Sequence, residues 1–153
     1  MAIKNHSNIL SLNKKATFDY EILETYEAGL ELLGFEVKSI RGGKASLVGA
    51  FVVIRGGEAY LLNANIPPYQ PGNTPRDYES TRTRKLLLKK SEISELIGKT
   101  EKTGLTLVPL KLYNRGSRIK LQVGLARNKK KHDKRASIKK KDIEREVGRK
   151  LKR

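Results

Sequence analysis

The sequence predicts a mainly β protein with helices: a small antiparallel β-barrel, of which the oligonucleotide-binding (OB) fold is a common case, followed by a basic C-terminal tail that is disordered when free. Three observations carry that reading. At least five β-rich runs follow one another with glycine bends, without the regular strand–helix alternation of a doubly wound parallel sheet. A length of 153 residues suits one core of about 110 to 120 residues, enough to fold without staples. Charge is divided unevenly: the 27 residues from Arg127 hold fourteen Lys or Arg against four acids, a local +10, whereas residues 1–126 carry +7 of the chain's +17. A run so basic, with so little apolar surface to bury, does not offset the entropy of ordering itself. The expected division is a barrel body over 1–126 and a tail over 127–153.

The first dozen residues read as polar and loose. From Thr17 to Glu24, Phe18, Tyr20 and Ile22 alternate with polar neighbours, the period of a half-buried strand. Glu36 to Arg41 predicts a short helix stopped by Gly42 and Gly43, which accept the left-handed backbone of a helix end. AFVVIR and EAYLLN flank Gly56-Gly57, a strong two-residue hairpin signal. Four of the five prolines, Pro67, Pro68, Pro71 and Pro75, fall in IPPYQPGNTPRDYES, which predicts a surface loop. RTRKLLLKKSEISELIGKT reads as the best helix, with Leu86, Leu87, Ile93, Leu96 and Ile97 near helical spacing and Ser91, Ser94 and Glu95 offering a cap or restart. LTLVPLKLY and RIKLQVGLA predict a second hairpin around Asn114 to Ser117, with Pro109 marking an edge or a bulge.

A pI near 10.2 calls for a polyanion partner. The ordinary one is nucleic acid, because each neutralised phosphate releases condensed counterions. The absence of cysteine excludes disulfides and thiolate metal sites and fits a reducing cytoplasm. No apolar run approaches the roughly 18 residues of a membrane span, and MAIKNHSNIL lacks the apolar core of a secretory signal. A soluble, cytoplasmic protein is expected. In the tail, Ile143, Val147 and Leu151 form a thin stripe without aromatic residues, a weak membrane anchor, so no membrane partner is expected. The two histidines are His6 and His132, and no phosphate loop, metal-spaced histidine pair or nucleophile elbow is present. No catalytic residue, metal or cofactor is expected. His132 has two readings: a solvated imidazole among lysines, or a flat ring stacking on an unstacked base.

Four blocks carry a resemblance: NKKATFDYEILETYEAGLELLGFEVKSIRGGKASL, TRKLLLKKSEI, GLTLVPLKLY and GLARNKKKHDKR. In that order, over nearly the whole chain, they resemble the SsrA-binding protein family, small protein B, the partner of transfer-messenger RNA in bacteria. The resemblance implies an OB-like antiparallel barrel with flanking helices that binds the tRNA-like domain of transfer-messenger RNA tightly. It implies that this complex enters ribosomes stalled on messages lacking a stop codon. The body then stands where a tRNA anticodon arm would be, and the tail becomes helical in the empty message channel. The nascent peptide is tagged and the ribosome released, with no enzymatic activity in the protein. A monomer is expected.

By the same resemblance, Asn13, Glu27 and Leu87 match positions tied to RNA binding. Asn13 offers donors and acceptors to a nucleotide. Glu27 repels phosphate, so it accepts from base or ribose donors, holds a basic neighbour such as Lys38 or Arg41, or forms a purely structural ion pair. Leu87 is either a core leucine or an exposed apolar contact against RNA, because Leu86, Leu87 and Leu88 do not all face inward on one helix. Arg82, Arg84 and Lys85 lead into the same predicted helix and are expected to reach phosphates, the alternative being ordinary solvated cations. Lys38, Arg41 and Lys120 complete the expected RNA-contacting set. In the tail, Lys129 and Lys130 precede His132, Asp133, Lys134 and Arg135, which match the family's HDKR string. The resemblance implies that His132 stacks on a nucleotide of the small-subunit decoding centre. Asp133 is suited to cap a following helix that carries the Ile143, Val147 and Leu151 stripe.

The chain departs from the family's pattern at Asn128, where Gly is usual, at Lys89, where many members have His, in SLVGAF and in the closing GRKLKR. Asn tolerates the left-handed region, so a bend at Asn128 is expected to survive. Two other classes fit the composition. A structural ribosomal protein would stay with every ribosome through a high-salt wash, and an RNA-processing enzyme would act on structured RNA with divalent metal.

Overall fold

The computed structural model describes residues 8–102 and 104–129. The elements run β1 (Ile9–Leu12), α1 (Lys14–Asp19), β2 (Tyr20–Leu30), α2 (Gly34–Arg41), β3 (Phe51–Arg55), β4 (Glu58–Leu62), β5 (Arg84–Leu87), α3 (Lys90–Thr100), β6 (Leu105–Arg115) and β7 (Arg118–Asn128). Every strand pair is antiparallel. The order β6-β3-β4-β5-β2-β7 returns to β6 through the β6–β7 pairing, so six strands close a ring and β1 is appended to β6. This is the mainly β, OB-like barrel the sequence predicts.

Both hairpins form where expected. Gly56 and Gly57 take positive φ of 58° and 76°, the left-handed pair a twisted two-residue turn requires. The β6–β7 turn closes at Arg115 opposite Arg118. Pro109 marks a bulge, not an edge: the register with β7 slips between Pro109 and Lys111, while β1 and β3 share the opposite side of β6. The apolar run in β6 is buried on both faces. Leu107 and Leu112 join the barrel core, and Val108 and Leu110 pack with Ala16 and Ala126 beneath α1.

Four expectations are corrected. The first dozen residues are not all loose, since Ile9–Leu12 pairs with β6. The strand expected from Thr17 starts at Tyr20, because Asn13 caps α1 through Oδ1, which accepts from the Ala16 N–H at 3.2 Å, and α1 takes up residues 14–19. RTRKLLL is not helical. Arg84–Leu87 is a strand in which Arg84 and Leu86 point inward and Lys85 and Leu87 outward, so alternation, not helical spacing, accommodates the leucine run. The helix begins only at Lys90, with the Glu92 carboxylate accepting the Lys89 N–H at 3.1 Å in place of a serine cap. Finally, β7 continues past Ala126: Arg127 lies opposite Glu21, Asn128 opposite Tyr20, and the Lys129 N–H reaches the Asp19 carbonyl at 3.1 Å. Asn128 thus extends a strand and makes no left-handed bend. Lys130, His132, Asp133, Lys134, Arg135 and the Ile143 stripe lie outside the described residues.

Candidate nucleic-acid interface

Three strands and a helix converge on one groove. Gly29 of β2 lies opposite Leu87 of β5 on one side and opposite Lys120 of β7 on the other. With no side chain at Gly29, Leu87 settles over the strand; a Cβ there would stand 3.2 Å from the Leu87 Cβ. Leu87 remains 49 % exposed, which decides between its two readings in favour of the surface one. Around it, Leu32, Val37 and Ile119 floor a groove of about 320 Å³ whose rim carries Arg41, Arg118 and Lys120. Among the described residues, none of these three cations has a carboxylate partner within ion-pair distance. Arg41 instead donates to the Ser117 carbonyl at 2.8 Å, tying α2 to the β6–β7 turn.

Glu27 stands on β2, two residues from Gly29, and its charge is consumed. One carboxylate oxygen accepts from the Tyr113 hydroxyl at 2.6 Å and the other from Arg115 at 2.7 Å. The Tyr113 hydrogen bond, then that of Arg115, holds the Glu27 carboxyl below its usual range. Burial, reinforced by the adjacent carboxylate, pushes the Tyr113 phenol up. Glu27 therefore holds a basic neighbour, but that neighbour is Arg115 and not Lys38 or Arg41. It also cancels the acid that would otherwise repel phosphate beside the groove.

Other expected contacts are corrected. Asn13 is buried. Beyond its cap, its Nδ2 donates to the carbonyls of Pro109 at 2.9 Å and Leu47 at 3.3 Å, and its backbone N–H to Leu110 at 2.8 Å. Both side-chain donors are spent on these two carbonyls, so none remains for a nucleotide. Arg84 is fully buried. Its guanidinium reaches Glu36 at 2.6 and 2.8 Å, Ala64 and Ser80 carbonyls at 2.8 and 2.9 Å, and the Tyr78 hydroxyl at 3.0 Å. It is a core ion pair, not a phosphate contact. Arg82 also binds the Glu36 carboxylate, through Nε at 3.1 Å and through Nη2. Lys85 faces outward with its Nζ 3.5 Å from Glu58. Lys38 is exposed on α2, its Nζ 5.9 Å from the Tyr69 ring centre.

Sequence reading did not single out Arg118, Tyr113, Arg115 or Tyr78, or the burial of Glu36. Arg118 had one available signal, its place two residues before Lys120 on an outward-facing register. The rest depend on partners distant in sequence. Among the described residues, no three potential metal-ligating side chains cluster.

An apolar floor inside a rim of unpaired cations, on a closed basic barrel, defines a protein shaped to face a polyanion. Comparison with known proteins narrows the class. The family model described as SmpB protein matches residues 10–153, and the chain belongs to that family. It is 54 % identical over 144 residues to the SsrA-binding protein of Thermosynechococcus vestitus, spanning 94 % of this chain and 95 % of that one. It is 53 % identical over 153 residues to the SsrA-binding protein of Gloeobacter violaceus, spanning 100 % of both. Its fold matches a solved structure described as "tmRNA-SmpB: a journey to the center of the bacterial ribosome", with a TM-score of 0.65 and 47 % identity over 83 % of this chain and 92 % of that one.

Proposed function

We propose that this protein is an RNA-binding adaptor that holds the tRNA-like domain of transfer-messenger RNA in the Leu87 groove and delivers it to stalled ribosomes for trans-translation. The observation that carries the reading is the groove itself. Leu87, Val37 and Ile119 offer an apolar face to ribose or an unstacked base, and Arg41, Arg118 and Lys120 offer phosphates three charges that form no ion pair among the described residues. Asn13 and Glu27 act indirectly, the first by locking the β6 bulge and the second by fixing Tyr113 and Arg115. The part of the tail beyond the barrel, 130–153, occupies the empty message channel of the small subunit, where its twelve cations meet phosphate. His132, Asp133, Lys134 and Arg135 engage the decoding centre. The protein catalyses no step, works as a monomer and resides in the cytoplasm. No helix among the described residues is long and apolar enough to cross a membrane.

The test is a gel-shift titration with a transcript of the tRNA-like domain. Leu87→Asp places a carboxylate on the groove floor and should weaken binding at least tenfold, whereas a chain ending at Lys129 should bind nearly as well as the full protein. That shortened chain should then fail to support peptide tagging in a reconstituted translation system with a message lacking a stop codon. Wild-type affinity of Leu87→Asp would refute the groove, and full tagging by the shortened chain would refute the role of the tail.

A further inference from the structure

Of the six tyrosines, Tyr69 alone is exposed, and two lysines lean over it. The Nζ of Lys38 lies 5.9 Å and that of Lys44 5.7 Å from the ring centre. Neither lysine forms an ion pair among the described residues. The backbone brings them there. Gly42 and Gly43 end α2 in a turn, Gly43 at φ 75°, and the Lys44 N–H returns to the Ser39 carbonyl at 3.1 Å, which sets Lys44 back beside Lys38. The loop that carries the ring is also braced. Pro67 and Pro68 precede it, Pro71 begins a short 3₁₀ turn after it, and the Gln70 carbonyl accepts from Thr74 Oγ1 at 2.8 Å and Asn73 N at 3.0 Å. Farther along the loop, the Tyr78 hydroxyl sits 2.7 Å from the Ile66 carbonyl and 2.9 Å from the Glu36 carboxylate, pinning the loop to α2.

We infer that Tyr69, Lys38 and Lys44 form a second nucleotide subsite, in which an unpaired base stacks on the Tyr69 ring and the two lysines take the flanking phosphates. Lysines near 6 Å from a ring stand at the outer limit of the cation–π attraction, so a base displaces them at small cost and they gain phosphate in exchange. A ring carried on a braced, proline-flanked loop costs little backbone entropy when a base lands on it. The occupant belongs to the same RNA as the groove, because Lys38 and Arg41 lie one turn apart on α2 and share a face, with Arg41 on the groove rim. The inference rests on the adaptor reading of the groove.

Gel-shift titration of the full chain with the tRNA-like transcript tests it. Tyr69→Ala and Tyr69→Leu should each weaken binding about tenfold, and Tyr69→Phe should bind like wild type, since a stacking platform needs the ring and not the hydroxyl. Lys38→Gln and Lys44→Gln should each flatten the dependence of log K on log salt by nearly one unit, while Tyr69→Ala leaves that slope unchanged. Unfolding temperatures of the Tyr69 variants should match wild type, because the ring is exposed. Wild-type affinity in Tyr69→Ala, with Leu87→Asp still defective, overturns the subsite and leaves the groove standing. A Tyr69→Phe as weak as Tyr69→Ala overturns stacking. Failure of the wild-type protein to bind the transcript removes both readings together.

Discussion

Replacing Glu36 by alanine should be among the most damaging single changes in the barrel. Its carboxylate, with no exposed side-chain surface, accepts from Arg84 at 2.6 and 2.8 Å, from Arg82 Nε at 3.1 Å, from the Leu33 N–H at 2.8 Å, and lies 2.9 Å from the Tyr78 hydroxyl. Glu36→Ala strands the fully buried Arg84 guanidinium without its counter-charge. Breaking a buried pair by removing one partner costs about 3 to 5 kcal/mol, out of a typical total of about 5 to 15 kcal/mol for such a domain. For a body of this size that lowers the unfolding temperature by about 10 to 25 °C, read by circular dichroism. The double change Glu36→Leu with Arg84→Met should recover part of the loss, because the charge it leaves, on Arg82, is partly exposed and not buried. Acid should reproduce the effect. Burial alone raises the Glu36 carboxyl, but hydrogen bonds from Arg82, the Leu33 N–H and Arg84 outweigh it and hold the group below its ordinary 4.5. The unfolded chain therefore binds the extra proton first, and this contribution is complete above about pH 4.5 and vanishes as pH falls through the folded value. A Glu36→Ala loss below 1 kcal/mol, or an equal acid sensitivity in the variant, would refute the ion pair as the anchor of this region.

Asn13→Ala removes a helix cap and the Nδ2 hydrogen bonds to the Pro109 and Leu47 carbonyls, of which Leu47 keeps the Ala50 N–H; urea unfolding should show a loss of about 1 to 3 kcal/mol, while RNA affinity per folded molecule stays unchanged. In Gly124→Ala the new methyl would meet Leu110 Cδ1 at 2.9 Å and Cγ at 3.2 Å, and the crowded contact beneath α1 should cost about 1 kcal/mol in the same assay. Gly29→Ala pushes on the Leu87 Cβ from 3.2 Å, so it should weaken binding of the tRNA-like transcript severalfold with little change in unfolding temperature.

Much of the fold was legible because it is locally encoded. Gly56-Gly57 names its turn from two residues, and β-rich runs on either side fix the hairpin. The failures are non-local. A triple leucine has no period of its own, so Leu86, Leu87 and Leu88 read as helix until the pairing of β5 with β2 and β4 settles the matter. Asn13 looks available for a ligand because its partner Pro109 lies 96 residues away, and Arg84 looks like one more surface cation because Glu36 lies 48 residues away. In the candidate site, Leu87, Arg41 and Lys120 came from resemblance and charge. Tyr113 and Arg115 were missed because only the barrel's closure brings β6 within reach of Glu27.

The ring closes through the two strands made last. Strand β2 has its longest partner in β7, and all of residues 31–117 must be synthesised before that partner exists. Until then β2 has only β5 to pair with, at Gly29 and Leu30, and the rest of it is an open edge inside a crowded cell. Its own sequence answers that hazard: Asp19, Glu21, Glu24, Glu27 and Glu31 fall within thirteen residues that contain no Lys or Arg, and the register slips between Ile22 and Glu24. Negative charge and an irregular backbone discourage pairing with a stranger. Glu21, Glu24 and Glu27 later find Arg127, Lys99 and Arg115, so a guard against aggregation in the nascent chain becomes part of the mortar of the finished barrel.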